Sequence, residues 1–186
     1  MRFNDQKYID RYNMYGEFPK IHDDIYLISR QLRHDRVIDL GCCTGLLSAR
    51  LAVRNDFVLG IEANKKYLDR AVQCPKVQYV NMRIDMDTLD DFHALVDKYK
   101  IQTVYARRVM PELYDTGGIE LVKAFVKTCW DSNIKHVVLE GRKKVGSAVN
   151  GLPNVQVEVR AFLPFYWVEK RYNQCRILLR KDYEKL

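Results

Sequence analysis

The feature that most constrains this sequence is a short apolar run that passes through a small-residue turn directly into a helical pattern. Residues 37–40 read Val-Ile-Asp-Leu, residues 41–45 read Gly-Cys-Cys-Thr-Gly, and Leu46 and Leu47 open the helical pattern. Glycine lets a backbone turn tightly and approach a ligand, and the first N–H groups of a helix lack partners within it. The run therefore predicts a strand–turn–helix unit with a ligand at the turn.

The same alternation continues along the chain. β-Branched runs predict strands over Arg36–Leu40, Phe57–Glu62, Val77–Met82, Thr103–Ala106 and His136–Glu140. Helical spacing predicts helices over Leu46–Arg54, Lys65–Gln73, Thr88–Tyr99 and Gly118–Trp130. This order is typical of an α/β, Rossmann-like fold, in which a mostly parallel sheet carries helices on both faces.

The two ends of the chain depart from this alternation. Residues 1–35 form a helical N-terminal preface, whose aromatic side chains either make a lid over a ligand or pack within the preface: Tyr8, Tyr12, Tyr15, Phe18 and His22. Residues 155–181 alternate between apolar and polar side chains, which predicts a C-terminal antiparallel hairpin. We expect residues 1–186 to form a single domain, because this length can bury a sufficient core.

Composition narrows the class of protein. The five cysteines form no CxxC pair, so we expect reduced thiols, no metal site and a cytoplasmic location. No apolar run is long enough to span a membrane, so no membrane partner is expected. The net charge of +7 either favours an acidic partner such as RNA or DNA, or only keeps the surface soluble. The oligomeric state is left open.

An acidic residue ends the strand after the turn. Glu62 lies seventeen residues beyond Gly45, where a carboxylate can accept hydrogen bonds from ribose hydroxyls. A dinucleotide fingerprint would need a glycine where this chain has Cys43, because the backbone there must approach a pyrophosphate. The pattern therefore favours a nucleoside without phosphate. A nucleotide ligand, a nicotinamide ligand and a tight turn without a ligand stay as alternatives.

At this point the chain resembles the class I S-adenosylmethionine-dependent methyltransferases. Val37–Gly45 looks like their first motif, from which it departs at Cys43, and Ile61–Ala63 resembles their second. Arg83–Met86 resembles the third motif, and Val104–Arg108 stands where the fourth lines the methyl-transfer site. The resemblance implies a Rossmann-like fold, S-adenosylmethionine as cofactor, and transfer of its methyl group.

The resemblance also implies which residues bind the cofactor. They are Asp39, Gly41, Cys42, Cys43, Gly45, Glu62, Ala63, Asp85, Met86 and Ala106. Among these, Asp39 would orient the methionine amino group and also suits the N-terminus of the following helix. Asp85 would contact the adenine edge or would instead cap the next helix.

Catalytic residues are less clearly marked. Arg107 and Arg108 directly follow the fourth strand, where an arginine could clamp an anionic acceptor or pair with Glu112 or Asp115. Strand alternation allows one of the two to face the acceptor, and we expect it to be Arg107. Glu112 is the candidate base.

The sequence thus predicts an S-adenosylmethionine-dependent methyltransferase whose acceptor is unidentified. The basic charge slightly favours a nucleic acid as the acceptor. The alternative is a non-catalytic S-adenosylmethionine-binding protein that acts by binding nucleic acid or another protein. Cys43 and the lack of a separate substrate domain keep that alternative open.

Overall fold

The computed structural model describes residues 25–27, 29–30, 32, 36–106, 109–132, 134–140, 165–168 and 175–180. Three of the sequence-based predictions lie outside these ranges: the aromatic lid of the preface, the alternating segment around residue 155, and the placement of Arg107 and Arg108.

The described strands form one seven-stranded sheet. The strands are β1 (Arg36–Leu40), β2 (Phe57–Glu62), β3 (Val77–Asn81), β4 (Thr103–Ala106), β5 (His136–Glu140), β6 (Phe165–Val168) and β7 (Cys175–Arg180). Their order across the sheet is β3-β2-β1-β4-β5-β7-β6. Strands β1 to β5 run parallel, whereas β7 runs antiparallel to both β5 and β6. The predicted parallel sheet and closing hairpin are therefore confirmed.

Helices cover both faces of the sheet. They are α1 (Leu46–Leu51), α2 (Lys65–Leu68), a 3-10 turn (Met86–Thr88), α3 (Leu89–Tyr99) and α4 (Met110–Asp131). On one face Val37 packs with Leu47 of α1, and on the other Ile38 packs with Phe92 and Phe125 of α3 and α4. Successive residues of a strand point to opposite faces, so β1 is buried by both layers. Among the described residues, no helix is both long and apolar enough to cross a bilayer.

Two predicted helices end earlier than expected. Helix α1 stops at Leu51 rather than Arg54, where the Asn55 side-chain amide donates to the Leu51 carbonyl at 2.7 Å. Helix α2 stops at Leu68 rather than Gln73. The Val72 N–H donates at 3.0 Å to the carbonyl of Thr44 in the turn, so a tertiary hydrogen bond replaces a helical one.

Helix α4 begins eight residues earlier than predicted, at Met110 instead of Gly118. Gly117 and Gly118 interrupt the helix with non-helical backbone angles, and Gly118 has a φ of 67°. The glycine pair hid the preceding turns in the sequence pattern, and Pro111 stands in the first turn, where its missing N–H costs nothing. Glu112 consequently lies on a helix that starts just beyond β4.

The remaining differences are small. Strand β3 ends at Asn81, one residue before the predicted Met82. The helix expected from Thr88 is preceded by the 3-10 turn, and α3 itself begins at Leu89.

Candidate cofactor site at the carboxyl edge of the sheet

The turn between β1 and α1 is held in a left-handed backbone conformation at three positions. Gly41 and Gly45 have a φ of 72°, and Cys43 has a φ of 52°. The left-handed region suits glycine and costs other residues roughly 1–2 kcal/mol. Cys43 thus adopts the left-handed backbone conformation that the turn requires, although its Cβ makes that conformation unfavourable. Only a turn fixed from several sides keeps such a residue in place.

Hydrogen bonds fix this turn from within the protein. The N–H groups of Gly41 and Cys42 both donate to the carbonyl of Ile61, at 2.8 and 3.1 Å. The Gly45 N–H donates to the Cys42 carbonyl at 2.8 Å, and the Cys43 N–H donates to the Glu62 carboxylate at 2.9 Å. The N–H groups of Gly41, Cys42, Cys43 and Gly45 therefore have protein partners, whereas a phosphate cradle directs such groups at its ligand.

Glu62 links the turn to the end of β2. Its Oε2 accepts from Cys43 N, and its Oε1 accepts from the backbone N–H of Asn64, each at 2.9 Å. Burial raises the pKa of this carboxyl, while these backbone hydrogen bonds and the charge of Arg83 oppose the rise. A carboxylate offers about four acceptor positions, so Glu62 retains capacity for ligand hydroxyls.

Asp39 is almost completely buried below the turn. Its Oδ2 accepts a hydrogen bond from the Ser48 hydroxyl of α1 at 2.6 Å, and the residue is 1% exposed. This bond ties β1 to α1. The structure therefore shows a structural task for Asp39, and its predicted contact with the methionine amino group stays a prediction.

Asp85 caps the 3-10 turn that follows β3. Its Oδ1 accepts from the N–H groups of Asp87 and Thr88, both at 3.1 Å, and the Thr88 hydroxyl accepts from the Asp85 N–H at 3.0 Å. The capping alternative weighed for Asp85 is therefore what the structure shows. Next to the cap, Met86 exposes 57% of its surface, which is unusual for a large apolar side chain. A flat apolar ligand could cover it.

Glu112 lies in the first turn of α4, on the same edge of the sheet as Glu62. Part of its side chain meets solvent, yet surrounding protein raises the pKa of the carboxyl to about 7. Burial is the main cause; the charges of Glu62 and Asp115 add to the rise, and Arg83 opposes it. A pKa near 7 is compatible with the predicted role of Glu112 as a base, which stays a prediction.

The other predicted residues occupy this edge in simpler roles. Ala106 ends β4 and is fully buried, whereas Ala63 directly follows Glu62 and is exposed to solvent. Burial, reinforced by the nearby charges of Asp39 and Glu62, raises the pKa of the Cys42 thiol. The thiol therefore stays protonated and is a poor nucleophile.

Sequence reasoning missed Tyr79 of β3. Its hydroxyl lies where a Cβ on Gly45 would fall, and its ring lies over Gly60 of β2. The available signal was Gly60 itself, because a glycine inside a strand often marks the close approach of another group.

Several solved structures that match this fold are methyltransferases. The N-methyltransferase NodS from Bradyrhizobium japonicum WM9, in complex with S-adenosylhomocysteine, matches with a TM-score of 0.64 and 14% identity over 90% of this chain and 88% of its own. Magnesium protoporphyrin IX methyltransferase (ChlM) from Synechocystis PCC 6803, with bound S-adenosylmethionine, matches with a TM-score of 0.61 and 17% identity over 96% and 93%.

A third match is the methyltransferase domain of bacterial CtHen1, with a TM-score of 0.60 and 12% identity over 86% of this chain and 97% of that domain. No protein-family model matches the sequence, and no curated protein matches it. This chain has the Rossmann-like fold of S-adenosylmethionine-dependent methyltransferases.

Proposed function

We propose that this chain is an S-adenosylmethionine-dependent methyltransferase that binds its donor at the carboxyl ends of β1, β2 and β3. The observation that carries the proposal is the left-handed turn at residues 41–45, joined by the Cys43 N–H to the Glu62 carboxylate. This arrangement puts a carboxylate that can accept hydrogen bonds from a ribose beside a turn that a ligand can approach closely. The N–H groups of Gly41, Cys42, Cys43 and Gly45 in that turn already bond to the protein. The arrangement suits a nucleoside without phosphate better than a dinucleotide.

Charge at the site supports the same donor. The carboxylates of Glu62 and Asp115 raise the pKa of Glu112 and the charge of Arg83 lowers it, so two negative charges face one positive charge around this residue. A sulfonium is attracted to such a site, whereas a pyrophosphate is repelled. The fold shared with methyltransferases that hold this donor or its product adds independent support.

Each predicted residue has a role in this proposal. Glu62 accepts hydrogen bonds from the ribose hydroxyls, and Asp39 orients the methionine amino group. Asp85 uses Oδ1 for its cap, and its Oδ2 and the Met86 N–H contact the adenine. The walls of the donor pocket are Gly41, Cys42, Cys43, Gly45, Ala63 and Ala106.

Methyl transfer requires no covalent bond between the protein and either reactant. The acceptor's lone pair attacks the methyl carbon, the carbon–sulfur bond breaks, and its electron pair stays on sulfur to give S-adenosylhomocysteine. The protein must align the two reactants and remove the acceptor's proton where it has one. We assign proton removal to Glu112, and recognition of an anionic acceptor to Arg107.

Calorimetry with three compounds tests the donor. We expect the protein to bind S-adenosylmethionine and S-adenosylhomocysteine and not NADH. Binding of NADH without binding of either S-adenosyl compound would refute the proposal.

Methyl transfer from labelled S-adenosylmethionine to pools of RNA, DNA, protein and small metabolites then tests catalysis. We expect label in one pool, with the basic charge favouring a nucleic acid. Donor binding without label in any pool would favour the non-catalytic alternative.

A further inference from the structure

Tyr79 lies beneath the turn at residues 41–45, on the face of the sheet that α1 covers. The strand register places Asp39 of β1, Gly60 of β2 and Tyr79 of β3 in one row. A Cβ on Gly60 would lie 2.6 Å from the Tyr79 ring, and one on Gly45 would lie 2.1 Å from its hydroxyl oxygen. Both glycines therefore make room for this one side chain.

The hydroxyl of Tyr79 also joins the turn to the segment that follows α2. It donates to the Val72 carbonyl at 2.7 Å, and the Val72 N–H donates to the Thr44 carbonyl at 3.0 Å. Tyr79 thus reaches the turn by two routes, namely direct contact with Gly45 and a relay through the Val72 peptide. Burial raises the pKa of Tyr79, so the hydroxyl remains a donor at neutral pH.

The turn requires such support because its backbone is unfavourable for Cys43. A residue with a φ of 52° persists only where the surroundings allow no relaxed alternative. Glu62 and the Ile61 carbonyl hold the outer half of the turn, at residues 41–43. Tyr79 supports the inner half, at Thr44 and Gly45, where α1 begins.

We propose that Tyr79 is a positioning residue that holds the turn at residues 41–45 in the conformation that receives the methyl donor. The inference rests on the proposed function, because it assumes that this turn receives the donor. Tyr79 itself contacts the turn, the Val72 carbonyl and the Ser48 side chain, and it acts on the donor only through them.

The test compares Tyr79→Phe with Tyr99→Phe. The first variant keeps the ring over Gly60 and removes only the hydroxyl. The control tyrosine, in the last turn of α3, stacks on Phe57 at 4.9 Å at the opposite edge of the sheet. We expect Tyr79→Phe to weaken S-adenosylhomocysteine binding by about threefold to tenfold, the range that one lost hydrogen bond produces. Tyr99→Phe should leave the Kd unchanged.

Two further measurements separate positioning from general stability. In the ligand-free protein, Tyr79→Phe should speed amide hydrogen exchange within residues 41–46 more than elsewhere in the sheet. Once the methyl acceptor is identified, Tyr79→Phe should raise the KM for the donor and leave kcat unchanged. A lowered Tm with unchanged Kd and unchanged exchange in the turn would overturn the proposal. If wild-type protein binds no S-adenosyl compound, the proposed function fails, and the hydrogen exchange alone then decides whether Tyr79 supports the turn.

Discussion

At the scale of single residues, Glu62 combines two tasks in one carboxylate. Its carboxylate holds the Cys43 and Asn64 N–H groups and is proposed to accept from the donor's ribose. Glu62→Ala should weaken S-adenosylmethionine binding by about 2 kcal/mol or more, because hydrogen bonds to a charged acceptor are lost. Glu62→Gln keeps one acceptor oxygen and should fall between Glu62→Ala and wild type.

Calorimetry measures all three proteins, with Asp91→Ala as the control. Asp91 is an exposed carboxylate on α3, and its loss should leave donor affinity unchanged. Equal affinity of Glu62→Ala and wild type would remove Glu62 from the donor site.

Glu112 should make stability depend on pH. Its pKa is raised from 4.5 to about 7 on folding, so between these values the folded protein holds a proton that the unfolded chain has released. The contribution of Glu112 to the free energy of unfolding is therefore fully present below about pH 4.5 and is lost as pH rises towards 7. Glu112→Gln should flatten the fall in stability over this range.

Denaturant unfolding at pH 5 and pH 7.5 checks this expectation. Glu120→Gln is the control, because Glu120 is an exposed carboxylate further along α4, paired with Lys123 at 3.4 Å. The pH dependence of Glu120→Gln should follow that of wild type. If Glu112→Gln shows the same pH dependence as wild type, the carboxyl does not carry the raised pKa.

At the scale of elements, the contact between β2 and β3 depends on Gly60. Gly60→Ala would put a Cβ 2.6 Å from the Tyr79 ring and 3.0 Å from Cys42 Sγ. Overpacking of this kind typically costs about 1–3 kcal/mol. The substitution should cost less in a Tyr79→Ala background, where the ring is gone.

A double-mutant cycle of unfolding free energies measures this coupling. We expect a coupling energy of about 1 kcal/mol or more, favouring the double variant over the sum of the single ones. Additive effects would show that the ring and Gly60 do not share the space.

The same elements show what the sequence could predict. The bounds of β1, β2, β4 and β5 match the prediction, because buried parallel strands are continuous apolar runs set off by turn residues. The start of α1, the start of α2 and the end of α3 also match, whereas the ends of α1 and α2 and the start of α4 do not. Helix α2 ends where Val72 bonds to Thr44, and that contact depends on a neighbouring turn rather than on local pattern. Tyr79 was missed for the same reason, since its role follows from its register opposite Gly60.

The candidate site likewise contains features that the sequence could predict and features that it could not. Glu62 was found because a carboxylate at a strand end needs only the strand to be recognised. The engagement of the Gly41, Cys42 and Cys43 N–H groups could not be predicted, because their acceptors belong to β2. Residues 110–117 were not recognised as helical because Gly117 and Gly118 interrupt the helical pattern and separate these residues from the clear pattern that follows.

At the scale of the whole molecule, charge bears on the acceptor. The chain carries 31 lysines and arginines against 24 acidic residues. If the acceptor is a polyanion, binding releases counterions and should weaken steeply between about 50 and 200 mM salt. Donor binding, measured over the same range, should change far less, because S-adenosylmethionine carries few charges.

Variants of Arg83 and Lys98 test whether a nucleic acid binds at the carboxyl edge of the sheet. Arg83 is exposed at the carboxyl edge, where its charge lowers the pKa values of Glu62 and Glu112, whereas Lys98 is exposed in the last turn of α3. A nucleic acid that reaches the methyl donor passes Arg83, so Arg83→Gln should weaken binding and reduce the salt slope by about one. Lys98→Gln should do neither. Gel-shift titrations with RNA and DNA at several salt concentrations measure both. Absence of binding to wild type at 50 mM salt would exclude a polyanionic acceptor and leave a protein or a small molecule.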